Sequence, residues 1–164
     1  MTRNKFNVSY PVIYLVCDQD YFKYLYCFLH FLDKNVTNKQ VFIHFINIEA
    51  REAESLISKF KFIKNYSLEK EELNNKNTKT ALAPFSPLRH SNTMFVHSPI
   101  TKSFGKLYSE KEAYCANIRF VKIVDFLNTF ENDLIYIDVD NIINKDISEL
   151  YSKLQHADLI VTPC

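Results

Sequence analysis

Two aspartates one residue apart, Asp138 and Asp140, are the residues of this chain whose types and spacing point most clearly to chemistry. They follow the apolar run 134–137, which is rich in β-branched and aromatic residues and contains no Gly or Pro, so it predicts a central strand. Side chains alternate along a strand, so both carboxylates are expected on one side with Val139 on the other. Two like charges this close are relieved by a cation or a shared proton, which suggests a divalent-metal site. The alternative is a pair of acids in an exposed turn, because this spacing is frequent by chance.

Length, composition and charge limit the classes of protein to which this chain can belong. With 164 residues and 47% hydrophobic content, the chain is expected to form one globular domain, residues 1–164. A formal net charge of +1 gives no support to nucleic-acid binding. The N-terminus lacks a signal-peptide pattern, and no apolar stretch approaches the roughly 20 residues that span a bilayer. We therefore expect a cytoplasmic protein without a transmembrane segment.

Cysteine and glycine usage gives no support to a zinc site, a disulfide framework or a Gly-rich phosphate loop. Cys17, Cys27, Cys115 and Cys164 lie far apart in the sequence, so neither a zinc site nor a disulfide framework is indicated. Gly105 is the single glycine, and a Gly-rich phosphate loop cannot be built without close backbone approach by several glycines. A bound nucleotide would therefore have to be held by side chains and a metal ion.

The first 66 residues alternate between strand and helix patterns. The predicted elements are a strand at 11–17, a helix at 21–33, a strand at 41–48, a helix at 49–59 and an edge strand at 60–66. Asp18 or Asp20 is expected to cap the first helix, and His44, inside an apolar strand, is expected to be a core residue. This order predicts an α/β fold with a Rossmann-like, mainly parallel sheet and flanking helices, whose ligands gather where the strands end.

The remaining chain contains an irregular insertion at about 67–108 and then regular structure again. Ser109 and Glu112 form a capping box that opens a helix to about residue 127, with Arg119 at the edge of its polar stripe. The acid pair follows on its strand, and a short helix at 147–154 and a strand at 158–162 complete the predicted elements.

With its flanks, the acid pair resembles the donor-site core of nucleotide-sugar glycosyltransferases with the GT-A fold, and family 8 is the nearest likeness. The resemblance is carried by residues 114–120 (YCANIRF), 134–143 (LIYIDVDNII) and 145–150 (KDISEL), and more weakly by 12–21 (VIYLVCDQDY). It implies a GT-A nucleotide-diphospho-sugar transferase fold and the transfer of a sugar from a donor, with UDP the expected nucleotide, to a glycan, protein or lipid acceptor.

The resemblance also implies roles for individual residues. Asp138 and Asp140 would hold Mn²⁺ or Mg²⁺, which bridges the donor phosphates and stabilises the departing UDP. Arg119 would contact the phosphates or the sugar, Asp18 the base or ribose, and Tyr21 the nucleobase. The alternatives are a solvated helix residue for Arg119 and core packing for Tyr21. No residue is assigned as catalytic.

The chain departs from the family pattern at its C-terminal end. Family members continue into a segment that supplies a third metal ligand, usually a His, and most of the acceptor pocket, and His156 does not lie in that context. The chain therefore resembles the N-terminal, donor-binding part. We expect a truncated gene product, one piece of a split protein that associates with a C-terminal part, or a remnant that binds without turnover.

Two other functions compete with this interpretation. One is a non-catalytic α/β nucleotide- or metal-binding module in which the acids hold a structural cation. The other is a phosphohydrolase of the haloacid dehalogenase type, whose nucleophile lies in a similar motif. That family places its motif on the first strand and prefers Thr two positions after the second acid, where this chain has Ile142.

Overall fold

Helices and strands alternate along the part of the chain that the computed structural model describes, residues 6–70 and 110–154, with side chains for 6–70 and 118–152. The elements are β1 (Val12–Asp18), α1 (Phe22–Asn35), β2 (Val41–Ile46), α2 (Ala50–Ile57), β3 (Ile63–Glu69), α3 (Glu110–Thr129), β4 (Leu134–Tyr136) and α4 (Glu149–Leu154).

The four described strands form one parallel sheet in the order β3-β2-β1-β4. Ile13 in β1 pairs with Val41 in β2 on one side and with Ile135 in β4 on the other. The predicted α/β class, with a parallel sheet and flanking helices, is confirmed. The finer assignment to the GT-A fold stays a prediction.

β1 is buried on both of its faces, as a central parallel strand requires. On one face Ile13, Leu15 and Cys17 belong to a core that includes the apolar faces of α1 and α2. On the other face Tyr14 stacks on Phe42 with a centroid separation of 5.3 Å. That second core is completed by Phe6, Val12 and Phe126.

Several strand boundaries differ from the sequence-based prediction, and β3 is displaced at both ends, since it spans Ile63–Glu69. β3 was predicted at 60–66 but begins at Ile63, because the Ile63 N–H donates to the Phe60 carbonyl at 3.1 Å in a turn. β2 ends at Ile46, two residues early, because Asn47 adopts a left-handed backbone conformation with φ 56°. β4 ends at Tyr136 instead of 137. The edge position of β3 within the described sheet is confirmed.

The chain divides into two compact units. The first comprises Met1–Glu71 and Ile123–Cys164, and the second comprises Glu72–Lys122. The sheet belongs to the first unit, and α3 begins in the second. The single domain at 1–164 stays a prediction. The predicted insertion at 67–108, the Ser109 cap, the strand at 158–162 and His156 fall wholly or largely outside the described residues.

None of the described helices combines the length and the apolar character that a bilayer-spanning helix needs.

Hydrogen bonds from α1, and from the chain between α1 and β2, hold the segment that follows the acid pair. The Asn35 side-chain amide donates to the Ile143 carbonyl at 2.6 Å, and the Thr37 hydroxyl donates to the Asp146 carboxylate at 3.1 Å. The same carboxylate accepts the backbone N–H and the hydroxyl of Ser148, at 2.9 and 2.6 Å, at the start of α4.

A further contact comes from α4 itself. The hydroxyl of Tyr151 donates to the Asn38 carbonyl at 2.7 Å, and burial is the main cause that raises the pKa of Tyr151 to about 12. The segment 143–151 is therefore fixed to the sheet-bearing unit.

We expect Asp146 to stabilise the fold in a pH-dependent way. Hydrogen bonds from Ser148, and secondarily from Thr37, lower the pKa of this exposed carboxyl. Because the folded-state pKa is lowered, the stabilisation is present above the unfolded pKa and is lost as pH falls from about pH 4 downward. Asp146→Asn should lower the urea midpoint at pH 7, and the difference from wild type should shrink toward pH 3.

The exposed Glu131 provides the control, since Glu131→Gln removes a surface charge at a site without these hydrogen bonds. An equal effect of Asp146→Asn at pH 7 and pH 3, or an equal effect of the two variants at pH 7, would contradict the role given to Asp146.

Candidate functional site at the carboxyl edge of the sheet

The strand order places two acidic segments at one point of the sheet. From β1 the chain proceeds to β2 and β3 on one side, while β4 lies on the other side of β1. The carboxyl ends of the adjacent strands β1 and β4 therefore flank the position where the strand order reverses, and open α/β sheets bind their ligands at such positions. Asp18 is the last residue of β1, and Asp138 lies two residues beyond the end of β4.

Asp18 shapes the turn between β1 and α1. Its side chain is 7% exposed, and the Tyr21 N–H donates to its Oδ1 at 3.1 Å and to its backbone carbonyl at 3.2 Å. The expected capping of α1 by Asp18 or Asp20 is wrong in detail, because the N-cap residue is Tyr21 and no side chain caps it. Asp18 instead fixes the turn just before the helix.

Tyr21 experiences the charges of both acidic segments. Its side chain is 45% exposed, so the alternative of simple core packing is not what the structure shows. Partial burial is the largest cause that raises the pKa of Tyr21, and the charges of Asp140, Asp18, Tyr24 and Asp138 raise it further. The fold therefore brings the Tyr21 phenol under the influence of three carboxylates, of which Asp138 and Asp140 are about 120 residues away in the sequence.

Asp138 and Asp140 lie in an exposed turn, which we call the acid loop (residues 138–141). The Asn141 N–H donates to the Asp138 carbonyl at 3.2 Å and closes the turn. Val139 between them is 4% exposed and belongs to the core. Because β4 ends at Tyr136, the acids lie in the exposed turn that was the alternative to a strand end. Both acids are exposed while Val139 is buried, and the turn produces this arrangement, not the pleat of a strand.

Tyr136 is a site residue that sequence reasoning missed. Its hydroxyl donates a hydrogen bond to Oδ1 of Asp138. The sequence signal for this contact is that Tyr136 and Asp138 are two residues apart, because residues i and i+2 of a strand share a face. This contact orients the first carboxylate of the acid loop.

The acid loop offers the type of ligand that hard divalent cations prefer. Carboxylate oxygens suit Mg²⁺ and Mn²⁺, and Mg²⁺ in particular is commonly bound through one or two carboxylates together with waters and substrate phosphates. Among the residues whose side chains are described, no group of three or more His, Cys, Asp or Glu is arranged to hold a metal. Two carboxylates alone could serve only a cation that received its remaining ligands from water or phosphate.

Arg119 lies in α3 within the second unit, whereas Asp18, Tyr21 and the acid loop lie in the first. Its side chain is half-buried, and its guanidinium carbon lies 5.4 Å from the centre of the Phe120 ring. The proposed contact of Arg119 with a donor molecule stays a prediction.

No family model, curated protein or solved structure matches the chain at a significant level. Arguments about function therefore depend on the topology of the sheet and on the residues at its edge.

We expect the acid loop to depend on the anchoring of Val139. Val139→Ala should lower the free energy of unfolding by about 2 kcal/mol, because it removes buried apolar surface and leaves a cavity. Ile142→Ala, at a nearby position that is 68% exposed, should change it by less than about 0.5 kcal/mol. Urea denaturation measures both values, and equal losses in the two variants would contradict the buried position of Val139.

Proposed function

We propose that the chain is a metal-dependent glycosyltransferase of the hexosyltransferase type, or the donor-binding part of one, and that its donor is a nucleotide-diphosphate sugar, specifically a UDP-sugar. The observation that carries the proposal is the gathering of Asp18, Tyr21 and the acid loop at the switch point of a parallel sheet. The resemblance of the acid loop and its flanks to the donor site of GT-A enzymes supports the same conclusion.

In this proposal the protein binds and orients the donor with few residues. Asp138, held by the Tyr136 hydroxyl, and Asp140 would hold Mn²⁺ or Mg²⁺ at the donor diphosphate. The cation would act as a Lewis acid that stabilises the charge on the departing nucleotide. Oxygen ligands on an exposed turn suit this role, because the diphosphate can complete the coordination shell.

Asp18 and Tyr21 would recognise the nucleoside. The Tyr21 N–H fixes the orientation of the Asp18 carboxylate, which can then accept a hydrogen bond from a ribose hydroxyl or a base N–H. The half-exposed Tyr21 ring provides an aromatic surface on which a nucleobase can stack. Sugar-nucleotide binding without a Gly-rich loop is consistent with this division of roles.

Other parts of the proposal depend on the resemblance alone. Arg119 would contact the donor phosphates or sugar, and the acceptor would be a glycan, a protein or a lipid. The proposed location is the cytoplasm.

Isothermal calorimetry with a UDP-sugar such as UDP-glucose tests the donor site. We expect binding that requires Mn²⁺ and disappears in EDTA, because the cation joins the diphosphate to the acid loop. Asp138→Ala and Asp140→Ala should each weaken binding by about tenfold or more, equivalent to a loss of about 1.4 kcal/mol. Glu131→Ala, which removes an exposed carboxylate elsewhere, should leave the affinity unchanged.

The outcomes separate the competing functions. Equal UDP-sugar affinity in wild type and both acid-loop variants would contradict the site. Binding of Mn²⁺ that depends on the acid loop, without affinity for any sugar nucleotide, would instead identify a module that binds a structural cation.

A further inference from the structure

A second polar cluster lies on β2 and β3, outside the candidate donor site. Nδ1 of His44 and Oγ of Ser67 lie 2.5 Å apart in a hydrogen bond, and Nε2 of His44 lies 3.0 Å from Oε2 of Glu69. The His44 side chain is 4% exposed and that of Glu69 is 23% exposed. A hydroxyl, an imidazole and a carboxylate are thus in sequential contact, and the donor-site proposal uses none of them.

The pairing of the two strands produces this arrangement. His44 in β2 stands directly opposite Ser67 in β3. Glu69 lies two residues beyond Ser67, so it shares the same face of the sheet. Regular backbone therefore positions all three side chains, and such support gives more precise placement than loops do.

The Glu69 carboxylate lies 3.0 Å from Nε2 of His44 as an ion-pair contact. In the neutral imidazole tautomer with its proton on Nε2, which this negative charge favours, Nδ1 is the acceptor and the Ser67 hydroxyl donates to it. A serine that donates to a carboxylate-paired histidine has the arrangement of a base-activated nucleophile.

The outer edge of β3, as far as the described strands define it, also supplies a backbone donor beside Ser67. The Glu69 carbonyl accepts a hydrogen bond from Asn47 in the segment after β2, so the backbone groups of Glu69 face toward β2. Successive backbone groups alternate along a strand, and the N–H of Leu68 therefore faces the opposite edge of β3. The N–H that follows a nucleophilic serine is a common donor to a developing oxyanion.

We propose that Ser67, His44 and Glu69 form an acyl-transfer site for small carboxylic esters. Oγ of Ser67 attacks the ester carbonyl carbon and gives its proton to Nδ1 of His44. The bond between the carbonyl carbon and the alkoxy oxygen breaks, and the alcohol leaves with the proton from Nδ1. Water then attacks the acyl-serine, with His44 accepting and returning a proton, and releases the carboxylic acid. Glu69 acts through His44 and is a positioning residue.

A fluorophosphonate probe tests the reactivity of Ser67 directly, with hydrolysis of 4-nitrophenyl acetate as the second measurement. We expect one probe per full-length chain, with the modified residue identified as Ser67 by peptide mass spectrometry. Ser67→Ala should lose the label. His44→Gln should slow ester hydrolysis by roughly a hundredfold, the usual size of a general-base contribution.

Two further variants keep the test decisive if His44→Gln fails to fold. Glu69→Gln preserves the shape of a partly exposed side chain and should slow labelling by about tenfold or more while the melting temperature stays within a few degrees of wild type. Glu69→Asp should recover part of the rate. Ser58→Ala, at an exposed serine that donates only to the Ser55 carbonyl, should label like wild type.

Labelling should also be unchanged by Asp138→Ala and by Asp140→Ala, so the result is independent of the donor site. The proposal is overturned if folded protein is not labelled at Ser67, if urea-unfolded protein is labelled there equally fast, or if Glu69→Gln reacts at the wild-type rate. Any of these results would leave the cluster as a structural contact between β2 and β3.

Discussion

The position of β1, buried on both faces and paired on both edges, is the constraint on which the candidate site depends. Its side chains pack into two separate cores, so the strand cannot shift along its axis without moving apolar residues on both faces. Its register against β2 and β4 is therefore fixed, and with it the location of Asp18 at the carboxyl edge. The acid loop is brought to the same edge because β4 pairs with β1 in parallel.

The acid loop shows how the core controls a charged surface segment. Two carboxylates one residue apart repel each other, and nothing in their own chemistry holds them at the end of a strand. Val139, buried between them, and the Tyr136 hydroxyl on Asp138 supply the restraint. The segment that follows is fixed by hydrogen bonds from Asn35 and to Asp146. The site is thus positioned by packing on one side of the loop and hydrogen bonding on the other.

The sequence was sufficient to predict those features that depend on hydrophobic periodicity. Continuous apolar runs predicted β1 and β2, and the helix pattern at 49–59 predicted α2, in which Ala53 and Leu56 are buried. The predicted core position of His44 is confirmed. Hydrophobic periodicity does not reveal a turn such as the one at Phe60. The predicted β3 therefore begins three residues before the observed strand.

That displacement had a functional consequence. A strand ending at residue 66 leaves Ser67 and Glu69 in a loop, where their alignment with His44 cannot be inferred. Tyr136 was missed for a related reason. The apolar pattern at 134–137 predicts which side chains pack in the sheet, but it does not predict that the Tyr136 hydroxyl contacts Asp138. Hydrogen bonds between neighbouring strands depend on register, which a single sequence specifies weakly. The surroundings of Tyr21 likewise could not be predicted without the strand order, because that order places the ends of β1 and β4 next to each other.

Nuclear magnetic resonance with substoichiometric Mn²⁺ tests most directly whether the carboxyl edge between β1 and β4 is one cation site. If it is, the amide signals of Asp18, Tyr21 and residues 138–141 should broaden together and before others, because one paramagnetic ion lies near both segments. Signals at the start of β1, about 20 Å away along the strand, should broaden last. Broadening that begins in only one of the two segments, or at the opposite edge near Gln40, would contradict a shared site.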